Sequence, residues 1–379
     1  MSETGGHANP SMNPSMPPES GERSGPLRTG LTTGVCATAA AIGAARLALT
    51  GVHGTSIGVT LPKGRQVALA LNDLAATEDG AVAGVIKDAG DDPDATHGAR
   101  VWVRITPTTE PGMGFHAGAG VGTVTREGLV LDVGEPAINP VPRRMLTDHL
   151  TDLATENGYT GGLAVTVGVD DGERIAQHTM NGRLGILGGL SILGTTGIVR
   201  PFSCAAFVSS IHQAVDVARA NRLDHVAGCT GSTSETVARE RYGLGDSALV
   251  EMGDLVGALL KYVRHHPVPR LSLAGGFGKL GKFACGHLDT HSRKAGVDFD
   301  YLAETARAVG ADDALVESIR GCNTSMEVLS TCERAGVPIA ERICRDAADR
   351  ARQYLPAETS LDVLAVDRKG ALAGAVEGV

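Results

Sequence analysis

Between His225 and Arg293 the sequence changes three times from an apolar run to a small-residue turn that opens a helix. The first run is His225-Val-Ala-Gly-Cys-Thr-Gly-Ser, leading into Thr233-Ser-Glu-Thr-Val-Ala; the second is Ala248-Leu-Val-Glu-Met-Gly-Asp254, leading into Leu255-Val-Gly-Ala-Leu-Leu. The third is Arg270-Leu-Ser-Leu-Ala-Gly-Gly-Phe-Gly-Lys-Leu-Gly281. Strands that alternate with helices must run parallel, because a parallel neighbour is reached only by a crossover. With Ser360–Asp367 as a fourth strand, the pattern predicts a small doubly wound, Rossmann-like α/β domain of about four parallel strands. Such sheets take ligands outside the carboxyl ends of their strands, where these turns fall.

The preceding residues read as a mixed α+β domain. Leu27-Arg-Thr-Gly-Leu-Thr-Thr-Gly-Val-Cys-Ala leads into an alanine-rich helix ending near Gly51, a residue suited to a C-terminal cap. Thr32 and Thr33 suit a helix cap, or an anion site on free helix amides, with capping favoured. Strands are expected at Ser56–Leu61, Arg65–Leu71, Ala81–Asp88, Arg100–Ile105, Gly128–Val133 and Gly162–Val169. The glycine-laced run 181–201 suits a hinge and binding wall between domains. The expected organisation is a disordered tail over 1–26, an α+β domain over 27–200 and an α/β domain over 201–379, with the boundary near 195–203.

Composition narrows the function. A net charge of −9 and 3% aromatic residues disfavour nucleic acid and anionic membranes as partners. Seven cysteines without a Cys-x-x-Cys pair read as reduced thiols, not a disulfide framework or zinc site. No apolar run reads as a membrane span and residues 1–26 do not read as a signal peptide, so the expected location is cytoplasmic. Homo-oligomer formation is left open.

The first turn offers Gly228, Thr230, Gly231 and Ser232 for close backbone approach to a ligand at a helix start. Glu251 and Asp254 follow at the end of the next strand, where nucleotide-binding domains place an acid against ribose hydroxyls. The competing reading is structural: Ser232-x-x-Glu235 is a capping box, and Asp254 is a ready helix cap. Gly276-Phe-Gly-Lys-Leu-Gly281, with Gly276 and Gly278 leading, is a literal G-x-G-x-x-G, but it comes on the third strand. Lys279 and Lys282 read as solvated. His287-Leu-Asp-Thr-His291 suits structural hydrogen bonding or a ligand-contacting or proton-handling role more than a metal site, since no further ligand is matched to it; no bound metal is expected.

Several phrases in order carry a family resemblance. They are Arg28-Thr-Gly-Leu-Thr-Thr-Gly-Val-Cys-Ala, Val85-Ile-Lys-Asp-Ala-Gly-Asp-Asp-Pro-Asp-Ala-Thr-His-Gly98 and Gly134-Glu-Pro-Ala-Ile-Asn-Pro-Val-Pro-Arg143. Asn181-Gly-Arg-Leu-Gly-Ile-Leu-Gly-Gly189, Gly194-Thr-Thr-Gly-Ile-Val-Arg-Pro201 and Gly286-His-Leu-Asp-Thr-His-Ser-Arg293 complete the set. From about Leu27 onward the chain resembles the CbiD family, the cobalt-precorrin-5B (C-1)-methyltransferases.

The resemblance implies methylation of carbon 1 of cobalt-precorrin-5B by S-adenosylmethionine, giving cobalt-precorrin-6A in the anaerobic, early-cobalt route to cobalamin. It also implies a two-domain architecture, α+β followed by α/β; the first domain is expected to face the corrinoid and the second to bind S-adenosylmethionine. On that reading His287, Asp289 and His291 are candidates for a base that assists proton loss. Arg28, Thr32, Thr33, Arg143, Asn181 and Arg183 are candidates for meeting the carboxylates of the cobalt-corrinoid substrate. The rivals are an NAD(P)-dependent enzyme using the Gly276–Gly281 turn and a non-catalytic corrinoid carrier.

Overall fold

The structure is a computed structural model and describes residues 26–379; the expected tail lies outside the described residues except for its last position. The chain divides into two compact units, one ending at Ser203 and the other spanning Cys204–Val379.

In the first unit a five-stranded sheet runs in the order Asp73–Thr77, Gly80–Ile86, Arg100–Thr108, Gly162–Val169, Met113–Ala117. Its neighbours are antiparallel except the last pair, which is parallel. Strand Arg100–Thr108 shows why one face is covered: Val101, Val103 and Ile105 are fully buried, while Trp102 and Arg104 alternate to the other side. The covering element is helix Thr33–Thr50. Its alanines let the axis approach the sheet closely, and residues 33–45 are buried on every side of the helix. Gly51, at φ 70°, ends it by donating to the Leu47 carbonyl. This helix is long and apolar enough by composition to cross a membrane, contrary to the sequence reading, yet 78% of it is buried inside the protein. Core packing accounts for its apolar character. Helix Pro140–Glu156 lies against it through Met145, Leu146, Leu150 and Leu153.

Two strands of this five-stranded sheet were not evident from the sequence, Asp73–Thr77 and Met113–Ala117, and both are its edges. Residues 128–133, read as a strand, form bends instead, with Val130 at 75% and Val133 at 56% exposure. The run 181–201 belongs wholly to the first unit, pairing as Gly189–Leu190 with Gly120–Val121 and as Ile186–Leu187 with Thr123–Val124.

Trp102, the only tryptophan of the chain, sits opposite Gly168 on the neighbouring strand. A Cβ at Gly168 would overlap the indole ring, and one at Gly118 would come within 2.6 Å of it. Gly168→Ala is therefore expected to destabilise the unit by about 1–3 kcal/mol through overpacking. Urea unfolding followed by Trp102 fluorescence measures it; an unchanged midpoint would show that the indole moves freely aside.

In the second unit the sheet order is Leu249–Glu251, His225–Cys229, Arg270–Gly276, Ser360–Val366, Leu372–Val376. The first four strands are parallel and the last is antiparallel; this fifth strand was not expected. The four helices after residue 298 run Phe299–Arg307, Asp313–Arg320, Ser325–Arg334 and Ile339–Arg352, the first three capped by Asp298, Asp312 and Thr324. The connection leaves strand His225–Cys229 on one side for Leu249–Glu251, then returns to Arg270–Gly276 on the other. The order of strands thus reverses between His225–Cys229 and Arg270–Gly276, the place where open parallel sheets form a ligand crevice.

Candidate functional site

Thr230 stands at that reversal. Its amide donates to the Ala274 carbonyl at 3.0 Å, and its hydroxyl accepts from the Gly276 amide at 3.4 Å. Helix Phe277–Ala284 starts directly after the third strand. From its first turn Lys279 reaches the Thr230 carbonyl at 3.3 Å and the Asp254 carboxylate at 3.1 Å. One lysine therefore ties the ends of three strands together. Gly231 and Gly276 border open space, since a Cβ at either would meet nothing within 4 Å. Glu251 pairs with Cys229 at the carboxyl end of its strand and is half-buried.

The His287–His291 segment is a loop, and it is fastened to this same place. Thr290 donates through its amide to the Asp254 carbonyl and through its hydroxyl to Oδ1, both at 2.9 Å. The Gly257 amide donates to the Leu288 carbonyl at 2.9 Å, and only a glycine there leaves room, because a Cβ would lie 2.7 Å from that of Leu288. From the other side Lys282 donates to the Thr290 carbonyl and accepts from the His287 amide. The His287 side chain is exposed. Both Asp289 oxygens are engaged, one by the His291 amide and one by Lys294 at 2.6 Å. His291 accepts the Arg293 amide on Nδ1, while its Nε2 is buried without a partner. Among the described residues no cluster of three metal-ligating side chains forms.

Several sequence expectations change here. Gly228 lies inside a strand, not in a turn; a Cβ would overlap the Leu259 side chain, so packing explains the glycine. Ser232 is exposed, and it does not cap the helix that begins with it, Ser232–Tyr242. Ser234, which the sequence did not single out, instead ties the first turn of this uncapped helix to the strand end by accepting from the Thr230 amide and donating to the Gly231 carbonyl. Glu235 pairs with Arg239 and closes no capping box. Asp254 caps no helix either: the helix Val256–His265 begins without a side-chain cap, and Asp254 holds Thr290 and Lys279 instead. Gly278 and Gly281 lie within a helix, with a Cβ at Gly278 overlapping Ser325. The G-x-G-x-x-G is thus a helix-packing pattern after its first glycine, which removes the main support for a dinucleotide fingerprint. Lys279 and Lys282 are both bonded, not simply solvated.

The first-unit candidates lie elsewhere in the chain, in a structure of their own. Thr32 caps helix Thr33–Thr50 by accepting from the Val35 amide. The free amides an anion would need are taken: Gly34 donates to Leu193, and Val35 and Cys36 to the Thr32 carbonyl. Thr33 exchanges two hydrogen bonds with the Leu193 backbone. Asn181 is buried, bonded to Gly189 and Ser191. Arg143 donates to Glu135 at 2.8 Å and to the carbonyls of Ile138 and Pro136, so its fork is occupied. Arg28 is exposed and forms an ion pair with Asp88, whose pKa is held down to about 2 chiefly by that hydrogen bond. Arg183 is half-buried. Asp88 also accepts the Gly90 amide two residues on, the bond of a local turn, whereas Asp91 accepts the amide of the distant Arg28.

The geometry defines a mixed α/β protein with a fastened, polar site at a strand-order reversal. The chain belongs to the CbiD family: the CbiD family model matches residues 20–201, and the model of the CbiD C-terminal domain matches 289–377. A Pseudomonas fluorescens relative named cobalt-precorrin-5B C(1)-methyltransferase is 57% identical over 338 residues, 89% of this chain and 93% of its own length. One from Burkholderia multivorans with the same name is 56% identical over the same shares. A crystal structure of cobalamin biosynthesis protein (cbiD) from Archaeoglobus fulgidus is 28% identical, covering 71% of this chain and 83% of that one, at a TM-score of 0.39.

Proposed function

We propose that this chain is an S-adenosylmethionine-dependent C-methyltransferase that acts on carbon 1 of cobalt-precorrin-5B. The observation that carries the reading is the 57% identity, over nearly the full length of both chains, to a relative with that printed activity. We also propose that the second unit is a doubly wound, Rossmann-like domain holding the methyl donor, that the first faces the corrinoid, and that the protein works in the cytoplasm.

The residues at the sheet's carboxyl ends fit such a donor. Open space over Gly231 and Gly276 admits close backbone approach, and Glu251 stands where an acid would accept ribose hydroxyls. When bound, S-adenosylmethionine supplies an electrophilic methyl carbon; carbon 1 of the macrocycle forms the new bond with the ring's electrons, and the bonding pair leaves with sulfur as S-adenosylhomocysteine. The chain has little acid–base work in such a step, and positioning and exclusion of water dominate. That suits a loop whose residues Leu288 and Thr290 are tied at four points to Asp254 and to two neighbouring helices.

Isothermal titration with S-adenosylmethionine and, separately, NAD(H) tests the reading. Saturable binding of the first is expected, weakened about 10–100-fold in Glu251→Ala, the scale of a lost hydrogen bond to a charged group. Preferential NAD(H) binding would overturn it. An anaerobic assay for methylated corrinoid separates the enzyme from a carrier, which would bind corrinoid without turnover.

A further inference from the structure

The ring of His291 differs from every other buried polar side chain described here. Its Nδ1 accepts the Arg293 amide at 3.2 Å, so the neutral ring carries its proton on Nε2. That Nε2 is buried and, among the described residues, is the only buried side-chain nitrogen or oxygen without a hydrogen-bond partner. Buried donors in folded proteins are nearly always paired, because leaving one unmade is costly. The ring is also held firmly. Thr290 beside it is locked to Asp254, the His291 amide is bonded to Asp289, and the His291 carbonyl accepts from both Lys294 and Ala295.

Resting on the methyltransferase reading, we infer that His291 Nε2–H is a hydrogen-bond donor to a carboxylate oxygen of a bound ligand, not the base of the reaction. A base at Nε2 would need the opposite tautomer, which the Arg293 amide opposes. The ligands of that reading share one strong acceptor, the carboxylate, present on the amino-acid end of the methyl donor and on the rim of the tetrapyrrole. Asp289 is likewise a positioning residue, since both its oxygens are engaged in shaping the loop.

Glutamine places an amide N–H where Nε2 lies, whereas asparagine mimics Nδ1. The full-length protein and its His291→Ala, His291→Asn and His291→Gln variants would be titrated with S-adenosylhomocysteine and with 5′-methylthioadenosine, which lacks the amino-acid end. Anaerobic KM and kcat for the corrinoid would be measured in parallel. Ala and Asn are expected to weaken one ligand by about tenfold or more, with Gln restoring most of the loss. A loss confined to S-adenosylhomocysteine assigns the donor's carboxylate; a loss confined to the corrinoid KM assigns the substrate's. If all three variants lose kcat alike and abolish an acidic limb of the pH–rate profile, His291 is a base and the inference falls. It falls also if all three bind and turn over as the wild type does. Wild-type protein that binds neither ligand overturns the underlying reading and this inference together.

Discussion

Asp94→Ala is expected to cost the first unit about 3–5 kcal/mol, because it strands a buried charge. The charge is the ammonium of Lys87, whose side chain is 1% exposed and lies 2.5 Å from the Asp94 carboxylate. Thr96 donates to Asp94 through both its amide and its hydroxyl. Burial pushes the Asp94 carboxyl up, but the Lys87 charge and the hydrogen bonds from Lys87 and Thr96 outweigh it and hold the group below the ordinary carboxylate range. With the folded pKa below the unfolded value of about 3.9, the contribution is complete above that value and is lost as pH falls through the folded pKa. Urea midpoints of wild type and variant should therefore differ most near neutrality and converge below about pH 4. Adding Lys87→Met to the variant should recover part of the loss, since the stranded charge goes with it. A variant as stable as the wild type at neutral pH would mean that Lys87 finds water or another acid at little cost.

Asp254→Ala is expected to lower kcat/KM on the order of 100-fold, the scale of a misplaced catalytic segment. Asp254 is 7% exposed and joins Lys279 on one helix to Thr290 on the loop before His291. Thr290→Val removes the bond from the loop's hydroxyl to Asp254, whereas Lys279→Met removes the ion pair with Asp254 and the bond to the Thr230 carbonyl. If the loop matters to chemistry, Thr290→Val should lower kcat more than it raises the KM for S-adenosylmethionine. If the crevice matters more, Lys279→Met should do the reverse. Equal loss of both parameters in step with a lowered unfolding midpoint would reduce Asp254 to a stability residue. Steady-state kinetics beside thermal melts distinguishes these outcomes.

The parallel sheet was legible because its strands are apolar runs ended by small-residue turns, and each of these signals has a physical cause. Four parallel strands stand where that pattern placed them. The strands missed in the two five-stranded sheets, Asp73–Thr77, Met113–Ala117 and Leu372–Val376, are sheet edges with few buried positions, so their sequences carry no clean alternation. Residues 128–133 carried alternation with no strand to pair with. Glycines were harder to interpret. The sequence says that a side chain is missing at Gly228, Gly168 and Gly278, but only the fold shows that Leu259, Trp102 and Ser325 occupy the room. Aspartates divided in the same way: Asp88 follows local turn chemistry, whereas Asp91, Asp94 and Asp254 answer to partners that packing delivers. The family was legible in whole phrases. The tautomer of His291 was not, because it depends on one backbone amide two residues on.

The indole of Trp102, seated against Gly118 and Gly168, has an optical consequence. The first unit holds the chain's only tryptophan and the second holds none. Intrinsic fluorescence excited at the red edge of absorption, where tyrosine is dark, therefore reports the first unit alone, while circular dichroism reports both. Where the two signals part during unfolding, the gap belongs to the unit that carries the parallel sheet, and no label has to be attached to see it.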